Sequence, residues 1–118
     1  MPDQPVPNVT ADDVERVIRR DFPASHFDEV FAIVSQYGTD SWQGEPHRVR
    51  LATLKLASGN IAHLRTAVET ARLDYRDVLA AAEYPEYFKR VSPGDAPSQE
   101  TQRIIDSDWR QYQDWLHR

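Results

Sequence analysis

The sequence of 118 residues contains no cysteine. Disulfides, thiolate nucleophiles and cysteine-based zinc sites are therefore excluded together. No apolar run approaches the roughly 18 residues that a membrane-spanning helix requires, so we expect no membrane partner. The four glycines are too scattered to build a phosphate-binding loop, and no serine lies in a Gly-x-Ser-x-Gly turn. These absences remove several classes of enzyme without identifying a function.

The N-terminal residues lack regular patterning. Residues 1–9 contain Pro2, Pro5 and Pro7 and show no hydrophobic periodicity, which predicts a flexible N-terminal arm. They also lack the basic and apolar regions of a secretory signal, so we expect a cytoplasmic location.

The net charge of −5 is distributed unevenly along the chain, because acids dominate residues 1–47 whereas bases exceed acids in residues 48–91. We interpret this as acidic flanking helices packed around a more basic centre, although an acidic partner would also fit the pattern. Nucleic acid is an improbable partner, because a chain of negative net charge lacks the clustered basic face that such binding needs.

Helix signals recur through the rest of the chain. Thr10 and Asp13 form the pattern of a capping box, and Ser25 with Asp28 suggests a second helix start. Phe27, Val30, Phe31 and Val34 follow at the spacing of one helical face. Pro46 suits the first position of a third helix, which is apolar around nearly its whole circumference. We expect this third helix to be central.

Gly59-Asn60 and Asp74 divide the following helical segments, and Ser98 caps the last helix. The chain therefore predicts a compact single-domain all-α bundle of five or six helices. Its parts are the arm 1–9, a helical core 10–91, a loop 92–97 and a C-terminal amphipathic helix 98–118. That helix carries a stripe that we expect to be buried, either within the chain or between subunits: Ile105, Trp109, Tyr112 and Leu116.

Two residues stand out within the predicted core. Trp42 lies in a polar connection and is expected to plug the core from the loop. Arg50 falls inside the apolar arc of the third helix, so we expect a carboxylate from a neighbouring helix to pair with it.

Polar residues give no pattern of a metal, cofactor or catalytic site. None of the four histidines stands four residues from another on one helix, so we predict no metal and no cofactor. Asp12/Asp13 and Asp74/Asp77 are explained by helix capping. Asp106/Asp108 is explained by a solvated helix face.

Aromatic side chains are the best candidates for contact with a partner. They are either core residues or a partner-binding surface, since tyrosine, tryptophan and phenylalanine are enriched at interface cores. The candidates are Tyr84, Tyr87, Phe88, Trp109, Tyr112 and Trp115.

The run from Arg48 to Gly59, RVRLATLKLASG, is followed by DYRDVLA from Asp74 and by Glu83-Tyr84-Pro85. These segments resemble a set of small bacterial all-helical proteins of unassigned function, over about residues 12–86. The resemblance implies a cytoplasmic helical protein and no activity for any residue.

We therefore predict a protein-interaction module that binds a protein partner or a second copy of itself. The alternative is a small enzyme whose pocket gathers Arg50, Glu45, His47 or Tyr75 through tertiary folding. A helical nucleic-acid-binding or antitoxin-type protein would need a basic recognition helix. The only short basic cluster, Arg16, Arg19 and Arg20, has acidic neighbours that argue against it.

Overall fold

Six α-helices supply nearly all the regular structure in residues 5–91 and 98–118, which are the parts of the chain that this computed structural model describes. They are α1 (Ala11–Asp21), α2 (Phe27–Val34), α3 (Pro46–Ala57), α4 (Ile61–Glu83), α5 (Pro85–Arg90) and α6 (Gln99–His117). One turn of 3-10 helix, Ala24–His26, precedes α2. The predicted all-α bundle is confirmed, whereas residues 1–4 of the arm and the predicted loop 92–97 lie outside the described residues.

Three of the six described helices start at a local side-chain cap. The side chains of Thr10 and Asp13 form the predicted box at α1. Asn60 Oδ1 accepts the N–H of His63 at 2.9 Å, and Ser98 Oγ accepts the N–H of Thr101 at 3.1 Å. The predicted Ser25 cap is wrong, because the chain first makes its 3-10 turn and α2 then begins at Phe27 without a side-chain cap.

Helix α4 bends at Asp74, whose φ of −153° and ψ of 100° are extended. The Oδ1 atom of Asp74 accepts the N–H of Arg76 at 3.1 Å, as a capping residue does. The two helices that the sequence predicts here are therefore present as two helical segments of α4 that meet at Asp74. Pro85 then opens α5, where its missing N–H is harmless.

Helix α3 occupies the centre of the bundle, as predicted. It packs mainly along α4 and also contacts α1 and α2. Val49, Leu51 and Leu54 are fully buried. Burial on all sides matches the nearly continuous apolar surface of this helix.

Helix α6 folds back onto the same chain, where it contacts α5 and α4. Ile105, Tyr112 and Leu116 of its stripe are buried, and Trp109 is partly exposed. At its C-terminal end, Arg16 of α1 donates to the Leu116 carbonyl at 2.8 Å and Arg20 donates to the Trp115 carbonyl at 2.6 Å. These guanidinium groups satisfy carbonyls that a helix end leaves without partners.

The connection between α2 and α3 differs from the prediction, because Trp42 is 56% exposed and does not fill the core. Gln43 is buried instead. Its Oε1 atom accepts the backbone N–H groups of Gly38, Thr39 and Asp40 at 2.8, 2.9 and 3.0 Å. A side chain that organises three loop amides takes the inward position, since buried amides need partners.

None of the described helices is long and apolar enough to cross a membrane.

Candidate functional site

An aromatic groove lies where the end of α4, the start of α5 and the face of α6 meet. We define it by Glu83, Tyr84, Ile105, Trp109 and Tyr112. Pro5 and Pro7 of the N-terminal arm line the same space and cover it, leaving a cavity of about 10 Å³. Tyr84 at the end of α4 and two aromatic residues of α6, Trp109 and Tyr112, thus line one space with two prolines.

The arm lies over the groove through apolar contacts. Pro7 is buried and Val9 packs against the hydrophobic core, whereas Val6 between the two prolines is 57% exposed. Within the part of the chain that the structure describes, no hydrogen bond joins residues 5–9 to the helices. Residues 5–9 of the arm, which the sequence predicts to be flexible, therefore have a defined position against the groove.

The Tyr112 hydroxyl is the distinctive polar group of the groove. Its side chain is fully buried, and its oxygen has no hydrogen-bond partner among the described residues. Burial raises the pKa of Tyr112, so the hydroxyl keeps its proton and remains a donor. An unmet buried hydroxyl costs about 1–3 kcal/mol, which makes it a natural contact for an incoming acceptor.

Glu83 forms the base of the groove and is already neutralised. Arg48 of α3 donates from Nε to Glu83 Oε2 at 2.8 Å and from Nη2 to Oε1 at 2.6 Å. This two-point contact is the strong form of an arginine–carboxylate bond, and it raises the pKa of Arg48. The pair fixes the end of α4 to α3 and leaves the groove without a free charge on Glu83.

Two residues of α6 hold the walls of the groove in place. Asp108 is almost fully buried, and its carboxylate accepts the backbone N–H groups of Glu86 at 3.3 Å and Tyr87 at 2.9 Å. The prediction of a solvated face at Asp106/Asp108 is therefore wrong for Asp108, which caps the start of α5. Gln111 donates to the carbonyls of Ala82 and Glu83, both at 3.3 Å.

The predicted partner-binding residues fall into three places. Tyr84, Trp109 and Tyr112 line the groove. Tyr87 packs edge-on against Tyr84 with ring centroids 6.2 Å apart, and Phe88 is 59% exposed on the same short helix. Trp115 is only 8% exposed and lies with its ring centre 5.2 Å from the Arg20 guanidinium, outside the groove.

Arg50, proposed from the sequence for the alternative enzyme, has no ion-pair partner in residues 5–91 and 98–118. Its Nε donates to the Tyr37 carbonyl at 2.9 Å, and burial lowers its pKa. The predicted carboxylate partner is therefore wrong, because a carbonyl near the end of α2 accepts the bond instead. Its guanidinium also packs so closely on Gly38 that a Cβ there would lie 2.9 Å from Nη2.

Glu45 and His47 lie next to other groups than Arg50, and Tyr75 shares Tyr37 with Arg50 as a neighbour. The Oε2 atom of Glu45 lies 3.8 Å from Nη1 of Arg48. The Nδ1 atom of His47 is buried without a partner among the described residues. Tyr75 lies against Tyr37, with ring centroids 6.3 Å apart.

Two further cavities are larger than the one in the groove. A cleft of about 650 Å³ is lined by Asp21, Lys55, Ser58, Gly59, Gln111, Asp114, Trp115 and Arg118. Its lining carries charges of both signs, and burial lowers the pKa of Lys55. An apolar cavity of about 310 Å³ lies beside the bend of α4 and is lined by Leu56, His63, Thr66, Ala67, Thr70, Asp77, Val78 and Ala81.

None of these three cavities is lined by Arg50, Glu45, His47 or Tyr75. Within the described ranges, no group of three or more histidine and acidic residues is arranged to hold a metal ion.

The basic cluster of α1 is used within the chain. Arg16 and Arg20 bind the end of α6, and the guanidinium of Arg19 lies 4.2 Å from the ring centre of Phe27.

Sequence reasoning identified the aromatic side chains but missed Pro5, Pro7 and Glu83. The one available signal was the pair of prolines separated by a single residue next to the first helix. No local sequence signal pointed to Glu83, because its partner Arg48 lies 35 positions away in the chain.

Comparison of the chain with protein-family models, with curated proteins and with solved structures finds no match.

Proposed function

We propose that this chain is a protein-interaction module whose docking surface is the aromatic groove. The observation that carries the proposal is the groove itself, in which three aromatic side chains line one space with two prolines of an arm that has no hydrogen bond to the described helices. Tyrosine and tryptophan dominate the energetics of protein interfaces when they are held rigidly. The cytoplasmic location and the bacterial kinship expected from the sequence are part of this proposal.

The support of the groove favours binding over mere core packing. Asp108 and Gln111 fix the junction of α4 and α5 against α6, and Arg48 fixes the end of α4 against α3. Preorganised walls lower the entropy cost of binding. The arm, by contrast, can leave without breaking a hydrogen bond to the described helices.

The polar groups of the groove argue against catalysis there. Both oxygens of Glu83 are held by Arg48, and the raised pKa of Tyr112 keeps its hydroxyl protonated at neutral pH. General acid–base chemistry needs a group that titrates near the working pH. The groove is therefore better suited to holding a ligand than to transferring its protons.

Selection of ligands from a random peptide display library on the full chain tests the proposal. We expect enriched peptides to bind the wild-type protein and to shift the Trp109 indole resonance. Trp109→Ala should abolish binding, whereas Leu73→Ala, which alters a side chain that is 84% exposed, should not. An absence of enriched peptides, or equal binding by the folded Trp109→Ala variant, would contradict the proposal.

A further inference from the structure

We infer that the aromatic groove recognises proline-containing extended segments, and that Pro5 and Pro7 are an intramolecular occupant which such a segment displaces. This inference rests on the proposed function and specifies the chemistry of the partner. Pro5 and Pro7 of the arm line one small space together with Tyr84, Trp109 and Tyr112, and Pro7 is buried there whereas Pro5 is exposed.

Proline suits this site because its ring fixes φ and removes most of the backbone freedom that binding would otherwise cost. Flat aromatic side chains form the grooves that receive such segments. In the arm, Pro7 is buried while the neighbouring Val6 points to solvent. The groove therefore contacts the prolines and leaves the side chain between them free to vary.

Charge also restricts the partner. Glu83 is the one carboxylate among the described residues that line the groove, and it is already bonded twice by Arg48. An uncharged proline-containing segment leaves this pair intact. A charged segment could pair with Glu83 or Arg48 only by breaking these bonds, since Glu83 offers no free charge.

The arm is an imperfect occupant, because it leaves the Tyr112 hydroxyl without a partner. A segment whose backbone carbonyl accepts this hydroxyl gains a hydrogen bond that the arm does not make. Tyr112 is thus assigned as a specificity-determining residue. Because only molecules with an open groove can bind, the apparent affinity for other segments is the intrinsic affinity multiplied by the fraction of molecules in which the groove is open.

The first test compares full-length proteins with one labelled probe. The probe is a synthetic peptide with the sequence of residues 1–10, and its matched control has Pro5 and Pro7 replaced by alanine. Pro7→Asp places a carboxylate in the buried contact and should release the arm. Val6→Asp makes the same charge change at an exposed position and should leave the arm docked.

We expect Pro7→Asp to bind the probe about tenfold more tightly than either wild type or Val6→Asp, measured by fluorescence anisotropy. The alanine peptide should bind at least about tenfold more weakly than the probe. Equal affinity of wild type and folded Pro7→Asp, or equal binding of the two peptides, would overturn the inference. A wild-type dimer with exchanged arms, detected by light scattering, would overturn the intramolecular assignment.

The second test addresses Tyr112 in the arm-released protein. Adding Tyr112→Phe to Pro7→Asp should weaken binding of the proline-containing peptides selected from the display library about tenfold without lowering the melting temperature, because only the hydroxyl is removed. Binding of the probe, whose sequence is that of the arm, should not change. Unchanged affinity for the selected peptides would show that no carbonyl binds the hydroxyl. Peptides selected at Trp109 that lack proline would leave the proposed function intact and refute this inference, whereas an absence of any ligand would refute both.

Discussion

Tyr37 and Tyr112 are both fully buried, yet their hydroxyls are in opposite situations. The Tyr37 hydroxyl donates to the Gly44 carbonyl at 2.7 Å, and the Tyr112 hydroxyl has no partner among the described residues. Tyr37→Phe should therefore lower the free energy of unfolding by about 1 kcal/mol. Tyr112→Phe should leave it unchanged or raise it. Urea denaturation measures both, and a larger loss for Tyr112→Phe would show that its hydroxyl is bonded in solution.

Alkaline titration should also distinguish Tyr37. Burial, with smaller contributions from Tyr75 and Glu45, raises its pKa to about 12, whereas an unfolded tyrosine titrates near pH 10. Above pH 10 the folded chain holds a proton that the unfolded chain has lost. The contribution of Tyr37 to the free energy of unfolding should therefore be constant below pH 10 and should fall between about pH 10 and 12. In the Tyr37→Phe variant the free energy of unfolding should decline less steeply with pH over this range. Identical slopes for the variant and the wild-type protein would contradict the raised pKa of Tyr37.

At the scale of helices, α5 depends on a cap from α6. A helix of six residues has little stability of its own, and Asp108 satisfies two amides of its first turn. Asp108→Ala should destabilise the protein by about 1–2 kcal/mol and speed hydrogen exchange at the Glu86 and Tyr87 amides. The exposed neighbour provides the control, because Asp106→Ala should change stability by less than about 0.5 kcal/mol. Equal effects of the two substitutions would mean that the cap is not formed.

The helices that the sequence predicted well are those whose starts are set locally. The box at Thr10, the Asn60 cap and the Ser98 cap each join residues three positions apart. Hydrophobic spacing likewise fixes the buried face of α6. These features need no knowledge of the tertiary fold.

The groove could not be predicted in the same way. Asp108 finds its partners more than 20 positions away, and Glu83 finds Arg48 at 35 positions. The arm's burial at Pro7 depends on α6, which follows about 90 residues later in the chain. A sequence pattern shows on which face of its own helix a residue lies. The contacts of Asp108, Glu83 and Pro7 depend in addition on which other helix packs against that face.

At the scale of the whole molecule, α6 joins the first helix of the chain, α1, to the end of α4. Arg16 and Arg20 of α1 bind its C-terminal carbonyls, and Gln111 binds the end of α4. Its apolar stripe is covered by the chain's own core. This arrangement is that of a single cooperative unit, in which α6 is part of the fold and not an appended segment.

Cooperative unfolding of α6 with the rest of the bundle is therefore expected. In a Trp42→Phe variant, fluorescence comes only from Trp109 and Trp115 of α6, while far-ultraviolet circular dichroism reports all helices. The two urea transitions should coincide. Adding Arg16→Ala and Arg20→Ala removes the bonds at the end of α6 and should move the fluorescence transition to lower urea than the dichroism transition. If the two transitions were already separate in the Trp42→Phe variant, α6 would be only loosely attached to the bundle. If they still coincided after Arg16→Ala and Arg20→Ala were added, the two arginines would not be what joins α6 to α1.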